Sequence, residues 1–105
     1  MSESNSHKRA KSKAAGKGGS TEVSLSGGER LDALSAGKKR ATEVERSGTA
    51  EGLLKAAKRL RKAGTSQKVL QVPQQNMDAA ADAMQKAGVK GTVKNLGGTK
   101  RRSVR

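Results

Sequence analysis

Lys55, Lys58, Arg59 and Lys62 recur at spacings of three and four residues, with Arg61 at their flank and no acid anywhere between residues 53 and 68. On a helix, where successive side chains turn by about 100°, those four fall within an arc of roughly 100°. A row of cations of that width is suited to neutralising successive phosphates along a nucleic-acid backbone. Two further basic groups lie toward the ends of the chain, Lys8 and Arg9 with Lys11 and Lys13, and Lys100, Arg101 and Arg102 with Arg105. They read as contacts added on either side of the ridge. The expected nucleic-acid-binding residues are therefore Lys55, Lys58, Arg59, Arg61, Lys62, Lys100, Arg101, Arg102, Lys8 and Arg9.

Residues that could carry bond-making chemistry are few. Cysteine is absent and His7 is the single histidine, which excludes thiol nucleophiles, Cys-ligated metals and multi-His metal sites. Asp78 and Asp82 are four apart and share a helical face, the arrangement that metal-dependent nucleases use. Alanines surround the pair and no third ligand is near in sequence, so it reads as a solvated face, with Asp78 placed favourably in the first turns of its helix. Glu43 and Glu45 fall on different faces if their segment is helical. No nucleophile or general base stands out, so no enzymatic activity, cofactor or metal is expected.

Leu25-Ser26-Gly27-Gly28-Glu29-Arg30 resembles the signature motif of ATP-binding-cassette ATPases, in which a Ser-Gly-Gly turn presents backbone amides to a phosphate. The six residues stand without the other parts such an ATPase needs: Ala15-Gly16-Lys17-Gly18-Gly19-Ser20 has the letters of a phosphate loop in the wrong order, and no strand precedes it. Ser26 and Glu29 are at capping-box spacing, which predicts a helix starting near Gly27.

No aromatic residue occurs, so modules that stack bases on Phe, Tyr or Trp are disfavoured, and binding must rest on backbone charge and duplex or folded shape. Gln74, Gln75 and Asn76 read as polar surface at a helix start rather than as readers of adenine edges.

The elements that must position these groups follow from patterning. The 105 residues carry 23 Lys plus Arg against 9 Asp plus Glu, a net charge of +14, with eight Leu, seven Val and no Ile. So little large apolar material limits the chain to one small domain with a thin core. Residues 1–25 are read as a disordered basic arm, because nothing there buries enough surface to offset chain entropy. Residues 26–104 are read as the domain. Leu31, Leu34, Ala41 and Val44 suggest a first helix after Ser26, interrupted at Gly37. Ala50, Leu53, Leu54, Ala57 and Leu60 predict an amphipathic helix over 50–63, capped by Thr49 and stopped by Gly64. Residues 67–72 read as a strand. Met77, Ala80, Ala81, Met84 and Ala87 mark a helix ended by Gly88. Val89, Gly91 and Val93 alternate with polar residues as a strand does, and Gly97-Gly98 turns into a last basic strand or tail near 99–104.

The expected fold is thus a small α+β domain in the order helix-helix-strand-helix-strand-strand. The expected function is binding of duplex DNA or structured RNA through phosphate contacts, eight of which would give a slope of log affinity against log salt near −7. A small structural component of a ribonucleoprotein or virus particle, with a protein partner, is the alternative, and a small basic ribonuclease or toxin-like domain a further one. No apolar run is long enough for a signal-peptide core or a membrane span, so an intracellular or virion location without a membrane partner is expected.

Overall fold

The computed structural model describes residues 5–105 and is an α+β domain. Three helices, α1 (Asn5–Ala15), α2 (Ala50–Ala63) and α3 (Met77–Lys86), pack on a mixed sheet of six strands: β1 (Ser20–Ser24), β2 (Arg30–Leu34), β3 (Arg40–Val44), β4 (Gln67–Val72), β5 (Gly91–Asn95) and β6 (Arg101–Val104). The strands lie side by side in chain order. β1–β2–β3 is an antiparallel meander, β3, β4 and β5 run parallel, and β6 returns antiparallel to β5.

The second half of the chain follows its local signals. Thr49 Oγ1 accepts the Gly52 N–H at 3.1 Å and opens α2, and Gly64, at φ 67°, closes it in the left-handed conformation that a residue without Cβ adopts cheaply. Thr49→Ala should cost about 1 kcal/mol of stability, measured by chemical denaturation. Each of α2 and α3 links neighbouring parallel strands. Right-handed crossovers stepping in one direction place both helices on one sheet face. There Leu53, Ala56, Ala57 and Leu60 of α2 meet Ala80, Ala81 and Met84 of α3 over Ala41, Leu70, Val72, Val93 and Val104 of the sheet. At the hairpin after β5, Asn95 Oδ1 accepts the N–H groups of Thr99 and Lys100 at 2.9 and 3.1 Å, which fixes where β6 begins.

The first half departs from expectation in three respects. The disordered arm expected over residues 1–25 is, from Asn5 on, the helix α1 and the edge strand β1, while Met1–Ser4 lie outside the described residues. The helix expected after Ser26 is the meander β2–β3. The element order is therefore helix, three strands, helix, strand, helix and two strands rather than helix-helix-strand-helix-strand-strand. Glycines decide this. The turns Ser26–Gly28 and Ala36–Lys38 place Gly27 and Gly37 at φ 77° and 75°, a conformation that ends a strand and cannot continue a right-handed helix. Leu25 N–H then reaches Glu29 C=O at 2.7 Å and Ser35 N–H reaches Arg40 C=O at 2.9 Å, so the Ser26–Glu29 box closes a hairpin instead of capping a helix.

α1 crosses β1, β2 and β3 on the face opposite α2 and α3, burying Ala15 and Lys11. Among the described residues, no helix packs over the same face of β4, β5 and β6. Among the described residues, no helix is long and apolar enough to cross a membrane.

Candidate nucleic-acid interface

Strand alternation and register decide which side chains reach that uncovered face. Thr42, Val69, Thr92 and Ser103 stand in one row across β3–β6, and Val44, Gln71, Lys94 and Arg101 in the next. α1 forms a wall beside them. Arg9, Lys13, Arg40, Thr42, Gln71 and Lys94 are among the residues around a hollow of about 460 Å³ between α1 and the sheet. A second hollow of about 440 Å³ shares Arg40, Val69 and Lys94 and extends the groove to Arg101. Six cations, Arg9, Lys13, Arg40, Lys68, Lys94 and Arg101, thus line one groove, Lys68 already donating to the Thr65 carbonyl, and none of the described residues lining it is Asp or Glu.

The electrostatics of the groove follow from that composition. Partial burial, with Arg101, Arg40 and Lys13 nearby, holds the Lys94 ammonium below the usual lysine range. Arg40 Nε donates to Gln67 Oε1 at 3.1 Å, a neutral partner that leaves its charge uncompensated. Like charges gathered without a counter-charge raise a positive potential in the concavity, and an anion entering it relieves their mutual repulsion.

The residues predicted from sequence are divided between two faces. Arg9 and Arg101 line the groove, and Lys8 is exposed on α1 beside it. Lys55, Lys58, Arg59, Arg61 and Lys62 lie on α2, across the sheet from the groove. Much of that ridge is already engaged. Lys62 is bonded to Glu29, Arg59 Nε lies 3.8 Å from Glu29 Oε1, and Lys55 lies 3.3 Å from Glu51. The Glu29 carboxyl is held below the usual carboxylate range, chiefly by its hydrogen bond to Lys62. Arg61 Nη1 donates to the Ala87 carbonyl at 3.5 Å. Arg102 points to the helical face and pairs with Asp78 at 2.6 Å, which uses one member of the expected Asp78/Asp82 pair. Lys58 and Lys100 are exposed.

Sequence reasoning missed Arg40 and Lys94 as groove residues. Their signal was the two-residue period of β5, in which Thr92 and Lys94 share the face opposite Val93; it became readable once Val93 was known to pack under α2 and α3. Comparison with protein-family models, with curated proteins and with solved structures finds no match to this chain.

Proposed function

We propose that this protein binds nucleic acid, DNA or RNA, and that the phosphate backbone lies in the groove between α1 and the open face of β4–β6. The observation that supports this reading is the convergence of Arg9, Lys13, Arg40, Lys94 and Arg101 on one concavity in which no described lining residue carries a carboxylate. A ridge whose cations already neutralise Glu29 and Glu51 has less to offer an incoming phosphate, since an existing ion pair must be given up first. Thr92 adds a partly exposed hydroxyl for sugar and phosphate oxygens, whereas the Gln71 amide already donates to the carbonyls of Asn95 and Leu96. The reading is of a binder, with no reaction assigned to the groove.

The test is a fluorescence-anisotropy titration against duplex DNA, duplex RNA and single-stranded RNA at three salt concentrations. Five phosphate contacts give an expected slope of log affinity against log salt of about −4.5 for duplex DNA. A clear preference for one polymer identifies the ligand. Weak binding that is equal for all three and nearly independent of salt overturns the proposal and directs the search to a protein partner.

A further inference from the structure

The two hollows of the groove are lined differently. Among the described residues around the second, Val69 carries the single apolar side chain, and the rest are polar, cationic or glycine. The first joins Ala10 and Ala14 of α1 and Leu96 of the turn after β5 to that same Val69, so apolar groups from a helix, a strand and a loop meet there. Ala10 and Ala14 are four residues apart and share one face of α1. Gln71 also lines the first hollow. Its Nε2 donates to the Asn95 and Leu96 carbonyls at 3.1 and 3.0 Å, which uses the two amide hydrogens and fixes the side chain. Oε1 accepts no hydrogen bond from the described residues and is left as an acceptor in the lining.

A hollow of about 460 Å³ is of the size that takes one small organic group, and apolar walls with a few fixed polar groups are what orient such a group. A phosphate alone would use the cations and gain nothing from Ala10, Ala14, Val69 and Leu96. A nucleobase uses both: its flat body covers the apolar side chains, and a ring N–H or exocyclic amine donates to Gln71 Oε1. The chain has no aromatic residue, so the guanidinium groups of Arg9 and Arg40, which line the same hollow, supply the planes on which a base stacks. Resting on the groove reading above, we infer that the ligand is single-stranded nucleic acid, with one unpaired base in the first hollow and the adjoining phosphates along the second toward Arg101. The two hollows share Arg40, Val69 and Lys94, so base site and phosphate site adjoin as base and phosphate do in a nucleotide. In a duplex the base edges are paired and the faces stacked, so a duplex offers the groove its backbone only and forgoes the apolar contact.

The experiment measures, by fluorescence anisotropy, binding of the full chain to single-stranded RNA and DNA, to the duplex of each, and to a single strand of equal length whose sugars carry no bases. The preferred single strand is expected to bind about tenfold or more tighter than its duplex, and the abasic strand about tenfold or more weaker than the strand with bases. Ala10→Leu with Ala14→Leu fills the first hollow without changing any charge, and leucine suits a helix. That variant should lose the preference for single strands and keep duplex affinity within about threefold, with an unchanged salt slope. If it fails to fold by circular dichroism, the wild-type comparison of abasic with base-bearing strands decides. Salt-dependent binding in which the duplex matches or exceeds the single strand, the abasic strand binds equally well, or the folded double variant keeps its preference overturns the base site and leaves the cationic groove standing. Weak binding to every ligand, nearly independent of salt, overturns the groove reading and the base site with it.

Discussion

Replacing Arg40 and Lys94 together by glutamine is expected to weaken nucleic-acid binding about 30-fold or more near 0.1 M salt. It should also make the salt slope shallower by about 2, because two phosphate contacts and their released counterions are lost. The matched comparison replaces Lys55 and Lys58 by glutamine, which removes the same charge from α2. That variant should bind within about threefold of wild type, with an unchanged slope. Equal net charge in the two variants separates local contact from general attraction, which acts on both alike. Lys94 lies near Arg40 and Arg101, and neither Arg40 nor Lys94 carries core packing, so both proteins should remain folded. Equal losses in the two variants would show that the groove is not the contact surface.

The second large effect concerns stability and its dependence on pH. Burial first, then the hydrogen bond to Asp32 and the charges of Asp32 and Glu45, push the Glu43 carboxyl up from an ordinary 4.5 to about 10, against the opposing pull of Arg59. Lys11 and His7 of α1 face the same cluster through Asp32. A folded-state value above the unfolded one means that folding takes up a proton between the two. Glu43's contribution is fully present below about pH 4.5, declines through the neutral range and is lost as pH passes about 10. The slope from this group reaches at most about 1.4 kcal/mol per pH unit. Stability should therefore fall measurably from pH 6 to pH 9. Glu43→Gln, which keeps the shape and removes the titration, should flatten that fall and exceed wild type in denaturant midpoint at pH 8. Glu29 acts in the opposite sense: its lowered value means that its contribution is lost on acidification through its folded-state value. Parallel pH profiles for wild type and Glu43→Gln would refute the burial argument.

From Thr49 onward, local sequence and tertiary structure agree. The Thr49 cap, the leucine stripe, the Gly64 stop, the alanine-methionine stripe and the β5–β6 turn each specify an element within a few residues, because the signals are short-range and mutually consistent. Before Thr49 they conflict. Leu31, Leu34, Ala41 and Val44 fit one side of a helix by spacing. Yet the positive φ values at Gly27, Gly28 and Gly37 divide that run into two short strands, which neighbouring strands alone make stable. The Leu-Ser pairs at residues 25–26 and 34–35, each followed by a glycine turn, were the available signal for a meander.

By itself, the sequence determined the charge and the helical layer: an excess of positive charge without aromatic residues, and two amphipathic helices that must cover one face of a sheet. Only the tertiary structure decided where that charge can act. Arg9, Arg40, Lys94 and Arg101 come from α1, β3, β5 and β6, far apart in the chain, and they meet because strand register and alternation turn them to the same uncovered face. The closeness of Asp32 and Glu43 has the same origin. It is a property of two strands paired across a turn, which no spacing along a single element encodes.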